Sequence, residues 1–276
     1  MLEETCHPEK GDFSMKLTVL GSCSGTEPMP GRHQTSVAVE IGDQLYFIDA
    51  GENCAYASYL LGIDQQKTAA IFITHTHMDH VGGLPHLLWN FRKLCTLSPE
   101  HQARMEGKTI QIHLPDLAVY AGVKAMLLAS EGHYETVFRL EPHLLRDGRA
   151  YHQDGVSLLA FHNCHLGQPE PGAPWLSYSF LLEAEGKKVL FSGDFRDFSE
   201  LLPHLDGADL VFLETGHHRA ASLCQELKDS GAQVGKVVFY HHGLEILHDF
   251  SGELAAAKGV LGDQVEFSDD GSVYEL

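Results

Sequence analysis

The sequence predicts a layered α/β fold, and three observations carry that expectation. Strand-like and helix-like stretches interleave from one end of the chain to the other. Apolar residues make up 43% and charged residues 21% of the 276, the balance of a globular chain with a sizeable core. No internal repeat, low-complexity tract or Pro/Ser linker divides the chain, and such mixing suits one layered unit better than two separate ones. The expected division is a polar tail over 1–14 and a single domain over 15–276.

The elements follow in order. Residues 16–20 form an apolar run bounded by Gly21. Residues 36–41 alternate and 44–48 are apolar, and Gly42-Asp43 between them reads as a hairpin turn. A short helix is expected over 55–61 and a buried strand over 69–74. A helix follows over 84–98, a strand over 109–114 that Pro115 stops, and a helix over 116–130. Strands are expected at 136–140, 156–162, 177–184 and 188–192. The remainder reads as helix 198–205, strand 209–213, helix 218–230, strand 236–240, helix 244–257 and a closing hairpin over 264–275.

Charge and cysteine usage exclude several classes. Nineteen Lys and Arg stand against thirty-eight Asp and Glu, a formal −19, whereas phosphate-gripping surfaces need Lys and Arg. Nucleic acid is therefore not the expected partner. No run approaches the ~18 to 20 apolar residues of a membrane span, and Met1 to Ser14 lack the apolar core of a secretory signal. The six cysteines are scattered without a CxxC pair, which is neither a disulfide framework nor a cysteine zinc site. A reduced, cytoplasmic setting is the expectation.

Nineteen histidines are many for this length. The densest segment is Ile73-Thr-His-Thr-His-Met-Asp-His-Val-Gly-Gly83, just after an apolar strand. On an extended chain alternate side chains share a face, so His75, His77 and Asp79 can converge, and a turn at Gly82-Gly83 can return His80. Imidazole nitrogen and carboxylate oxygen are ligands that suit zinc, manganese and iron.

HxHxDH after a strand resembles the metallo-β-lactamase superfamily. Leu20-Gly-Ser-Cys-Ser-Gly25, Phe47-Ile-Asp-Ala-Gly-Glu52 and the stretch from Ile71 to Leu88 are similar to the ribonuclease Z-like, phosphodiesterase branch. Later motifs have counterparts at Asn163-Cys-His165, Ser192-Gly-Asp194, Leu213-Glu-Thr215 and Phe239-Tyr-His241, so the resemblance covers about residues 15–245.

The resemblance implies a four-layer αββα sandwich, the metallo-β-lactamase fold, with ligands at the C-terminal ends of strands. It implies two divalent metal ions, zinc first and manganese or iron as alternatives. His75, His77 and His165 would hold one, Asp79, His80 and His241 the other, and Asp194 would bridge them. Asp49 would orient the ligands without binding metal. A hydroxide shared by the two ions would be the nucleophile, and Asp79 would aim it. His242 directly follows His241, and the strand ending at Tyr240 favours His241 as the ligand. His86 and His162 read as packing or surface residues.

Ribonuclease Z-like enzymes place a Glu–His pair at the leaving oxygen. Glu214 with His217 or His218 is the counterpart at shorter spacing, and His218 is favoured because it opens the expected helix. Arg32 on the loop 22–36 is offered to an anionic group, and Trp175 to a substrate face, each against a plain structural role. The basic arm of ribonuclease Z has no room here, with only twenty-eight residues between His165 and Asp194. Residues 191–276 hold five basic against sixteen acidic residues.

The expected function is therefore metal-dependent hydrolysis of a small, anionic substrate, a phosphodiester first. The alternatives are a carboxylic ester, lactone or thioester hydrolase, a tRNA 3′ endonuclease, and a non-catalytic metal-binding scaffold. No membrane partner is expected, and a homodimer is common in this branch.

Overall fold

The computed structural model describes residues 15–26 and 28–276, so the expected tail over 1–14 lies outside them. The first half runs β1 (Met15–Gly21), β2 (Ser36–Ile41), β3 (Gln44–Ile48), α1 (Cys54–Leu60), β4 (Thr68–Phe72), α2 (Met78–Val81), α3 (Leu84–Cys95), α4 (Pro99–Met105), β5 (Thr109–Leu114), α5 (Leu117–Glu131) and β6 (Arg139–Leu144). The second half runs β7 (Gly148–Gln153), β8 (Val156–His162), β9 (Tyr178–Ala184), β10 (Lys187–Phe191), α6 (Leu202–Leu205), β11 (Leu210–Thr215), α7 (Ala220–Ser230), β12 (Lys236–His242), α8 (Leu244–His248), α9 (Phe250–Leu261), β13 (Val265–Phe267) and β14 (Val273–Glu275).

Period-two burial sets the layers. In β3, Tyr46 and Ile48 face one cluster while Leu45 and Phe47 face another. In β12, Val238 and Tyr240 join the first cluster while Val237 and Phe239 turn to a third. The shared cluster lies between two seven-stranded sheets, ordered β14-β1-β2-β3-β4-β5-β6 and β13-β12-β11-β10-β9-β8-β7. The second cluster joins the first sheet to α1, α3 and α5, and the third joins the second sheet to α7 and α9. The layers are helix, sheet, sheet, helix, the expected αββα sandwich. Both sheets are mixed: β3 to β6 and β10 to β13 pair in parallel, the remaining ladders antiparallel. Among the described residues no helix is long and apolar enough to cross a membrane.

Several elements differ from expectation. The hairpin expected over 264–275 does not form. β13 instead extends the second sheet beside β12, and β14 crosses to the first sheet beside β1. The helix expected over 84–98 ends at Cys95, and a second helix starts at Pro99. Proline has no N–H to continue a helix but fits its first turn, and the Ser98 side chain accepts from His101 N there. The helix expected over 244–257 breaks at Asp249, whose carboxylate caps α9 by accepting from Gly252 N. The strand at 136–140 lies instead at 139–144 and tolerates Pro142 because β6 is an edge strand. β7 carries no apolar alternation and was not expected.

Candidate metal centre

The strand ends bring the chemistry together. Asp49 follows β3, His75 and His77 follow β4, Asp79 and His80 ride on α2, His165 follows β8, and Asp194 follows β10. Glu214 and His241 are the penultimate residues of β11 and β12. His75, His77, His165 and Asp194 form one group whose possible ligand atoms lie within 4.8 Å of one another, and Asp79, His80 and His241 form a second.

Asp194 lies between the groups. Its Oδ2 is 3.7 Å from His75 Nε2 and 3.6 Å from His165 Nε2, while its Oδ1 is 3.3 Å from both His80 Nε2 and His241 Nε2. Asp79 Oδ2 stands 3.2 Å from His241 Nε2 and 3.5 Å from His80 Nε2.

Behind these groups, Asp49 is fully buried. Its Oδ1 accepts from Thr74 N at 2.7 Å, and its Oδ2 accepts from His80 Nδ1 at 2.8 Å. That bond fixes the His80 tautomer and leaves Nε2 facing the cluster. Asn163 Oδ1 similarly accepts from His165 N at 3.2 Å. Neither Thr74 nor Asn163 was singled out from sequence as a support, and adjacency to a ligand was the available signal.

Four carboxylates converge here, Asp49, Asp79, Asp194 and Glu214, all buried. Anions at that depth need cations. Burial pushes Asp79 up, but the hydrogen bond from His241 and the charges of His80 and His241 outweigh it and hold the carboxyl at about 2. Burial opposes charge on His80 and His241, yet Asp194 and the neighbouring carboxylates raise both, His241 to about 9. His75 and His165 go the other way: burial first, then neighbouring histidines, lower both.

The donor set fits metal. His75 Nε2 and Asp194 Oδ1 are buried without a hydrogen bond, and the His80 and His241 Nε2 atoms face each other at 3.1 Å. One cation in each group would satisfy these four atoms.

The end of β12 separates two adjacent histidines. The β11–β12 register skips His241, pairing Glu214 with Tyr240 and Thr215 with His242, and His241 takes φ 50°. This bulge turns His241 into the cluster. His242 donates from Nε2 to Ser268 O at 2.8 Å, and its Nδ1 lies 2.9 Å from Thr215 Oγ1, so both its nitrogens are engaged away from the cluster. Gly216 is needed beside the bulge, since a Cβ there would sit 2.7 Å from the His241 ring.

Both His217 and His218 lie near Glu214, His218 with its Nε2 3.7 Å from Glu214 Oε1, and they are held differently. α7 begins at Ala220, so His218 does not open it. His218 donates from Nε2 to Phe195 O at 3.0 Å and stacks on Phe195 at 4.3 Å. His217 instead donates from Nδ1 to Glu214 Oε1 at 3.0 Å, with Asp194 Oδ2 at 3.7 Å. The Glu214 bond raises its pKa against the effect of burial. Arg32 is engaged by Ser22 Oγ and Asp269 and lies over the Phe250 ring. Trp175 stacks on His162 at 3.8 Å, and His86 lies beside Trp89.

A cavity of about 380 Å³ opens beside His217, lined by Thr26, Thr215, Gly216, Arg219 and Leu244 among others. A larger cavity of about 630 Å³ lies at Arg92–Pro99 and Glu135–Phe138, and neither cavity is lined by the clustered ligands.

Residues 15–242 match the family described as "Anti-Pycsar protein Apyc1". The ribonuclease Z of Treponema pallidum (strain Nichols) is 33% identical over 141 residues, half of this chain and 42% of that enzyme. The match thus spans less than half the length of that relative. Two solved structures share the fold. The metallo-β-lactamase fold protein YhfI of Bacillus subtilis superposes with a TM-score of 0.71 at 19% identity, covering 96% of this chain and 100% of that one. The short form of human tRNase Z (ELAC1) superposes with a TM-score of 0.68 at 18% identity, covering 94% and 98%.

Proposed function

The chain belongs to the family described as Anti-Pycsar protein Apyc1, within the ribonuclease Z-like branch of the metallo-β-lactamase superfamily, and from that premise we propose that it is a dinuclear metal-dependent hydrolase of small phosphodiesters. The carrying observation is the pair of ligand groups that share Asp194. His75, His77, His165 and Asp194 would hold one divalent ion, and Asp79, His80, His241 and Asp194 the other, with zinc first and manganese or iron as alternatives. Such a pair supplies Lewis acidity at the phosphoryl oxygens and a water acidified toward neutral pH.

The chain's own residues do the rest. Asp49 holds His80 in the tautomer that presents Nε2. Asp79, beside His80 and His241, offers an acceptor that orients the attacking water. Glu214 accepts the His217 Nδ1 proton and leaves Nε2 as the atom that carries a proton to the leaving oxygen. His217, rather than His218, is the general acid of this reading, because the His218 Nε2 is bound to Phe195 O. The 380 Å³ cavity beside His217 suits a small ligand.

A tRNA 3′ endonuclease is the second reading, and the ribonuclease Z relative favours it. The −19 charge and the short span between His165 and Asp194 support the small substrate instead. Steady-state hydrolysis of bis(p-nitrophenyl) phosphate tests the proposal, with Asp79→Ala and a chelated sample alongside. Turnover that needs metal and Asp79 is expected. No turnover in protein holding about two metals per chain would discard the phosphodiester and bring lactones and thioesters forward.

A further inference from the structure

The chain between β13 and β14 crosses from one sheet to the other, and Asp270 sits at that crossing. Gly271 N donates to Val19 O at 2.8 Å, and Val19 N donates to Ser272 O at 2.9 Å, which anchors the segment to β1. The Asp270 carboxylate uses both oxygens twice. Oδ1 accepts from Ser22 N at 2.8 Å and Ser22 Oγ at 2.7 Å. Oδ2 accepts from His33 N at 2.6 Å and His33 Nδ1 at 2.8 Å. One carboxylate thus ties both ends of the loop between Ser22 and His33 through four bonds, and bonds of this carboxylate kind are the strong ones.

That loop reaches the metal centre. Ser24 donates to His242 O from N at 3.1 Å and from Oγ at 3.0 Å, and His242 N donates back to Ser22 O at 2.7 Å. These bonds hold the turn that carries His241. At Gly25 the loop closes on Asp79 so tightly that a Cβ would lie 3.0 to 3.3 Å from its carboxylate. Asp270 touches none of the clustered ligands and lies beyond the 15–242 family match.

We propose that Asp270 is a positioning residue for the metal centre: by clamping Ser22 and His33 it seats the loop against Asp79 and the His241 turn. The proposal rests on the reading of those residues as ligands. Asparagine cannot replace the carboxylate, because its amide would turn an N–H toward either Ser22 N or His33 N.

The test uses the full chain. Amide hydrogen exchange over residues 22–35 is followed in metal-free protein, zinc loss to a chelator in loaded protein, and kcat and KM with bis(p-nitrophenyl) phosphate. Asp270→Asn is expected to speed loop exchange, leave β8 and β9 protected, and cost about 10- to 100-fold in zinc retention and in kcat, with little change in KM. His33→Asn keeps a donor at similar reach and is expected to stay close to the natural protein. Ser22→Ala removes one of the four bonds and gives the same signs at smaller size, which decides the matter should Asp270→Asn not fold. Unchanged loop exchange, unchanged zinc retention, or exchange accelerated equally in β8 and β9 would overturn the clamp. A natural protein that cleaves no diester would end the phosphodiesterase reading alone, and exchange and zinc retention would still judge Asp270.

Discussion

His80 turns its Nε2 to the cluster only while its Nδ1–H has an acceptor, and Asp49 is that acceptor. Asp49→Ala is therefore expected to lower metal affinity by about 10- to 100-fold, read by chelator competition, while the fold persists. At the other side of the cluster, His217→Ala is expected to lower kcat by about 10²-fold or more, and His218→Ala far less, because His217 makes the 3.0 Å bond to Glu214 through Nδ1 while the His218 Nε2 is bound to Phe195 O. Equal losses from the two variants would remove His217 from its role. A third prediction concerns His113, buried between the sheets beside Phe72, with its Nε2 3.0 Å from Gln111 Oε1. Burial, aided by His143 stacked at 4.8 Å, pushes it down to about 3 from 6.5. The folded state keeps it neutral while the unfolded state takes up a proton, so stability is full above pH ~6.5 and falls as pH drops toward ~3. Urea unfolding of His113→Phe is expected to show an acid limb shallower by up to one proton, ~1.4 kcal/mol per pH unit. The HxHxDH segment was legible because alternation on a strand end is local. Which of His217 and His218 makes the shorter bond to Glu214 was not, because it depends on where α7 starts and on Phe195, a carbonyl distant in sequence.

At the scale of elements, strands with an apolar rhythm were legible and those without one were not. β3, β4, β11 and β12 are buried on alternating faces, and their positions follow from sequence. β7 shows six mostly polar residues at a sheet edge, where only Tyr151 is buried, so pairing rather than composition makes it a strand. The closing hairpin failed for a related reason. Residues 265–275 contain two short strands and a turn, but each finds a better partner in a different sheet. The break between α8 and α9 was hidden because Asp249 is the cap of a new helix rather than a residue inside one. Asp249→Ala removes the acceptor for Gly252 N at 3.0 Å and is expected to cost about 1 kcal/mol in urea unfolding, with no effect on metal content. A neutral result would mean that α7 and α9 packing alone holds the helix start.

At the scale of the whole molecule, the charge decides how substrate arrives. The chain carries −19, and the two divalent ions of the proposal would still leave it strongly anionic. An anionic diester, the substrate of the proposal, would approach against that field, and only ions held at the cluster would favour it at short range. Salt shortens the reach of the unfavourable field, from about 30 Å at 0.01 M to about 10 Å at 0.1 M ionic strength. Short-range contacts inside the cluster are screened far less. The kcat/KM for bis(p-nitrophenyl) phosphate is therefore expected to rise with added potassium chloride, by about two- to fivefold across that range, while a neutral ester measured in parallel stays flat. A polyanion held by a basic surface behaves in the opposite sense, because binding releases its counterions and weakens as salt rises. Stopped assays at several salt concentrations, with the diester, the neutral ester and a precursor tRNA, thus separate the two readings by sign alone. A rate on tRNA that falls steeply with salt, beside a diester rate that does not rise, would reverse the preference for a small substrate.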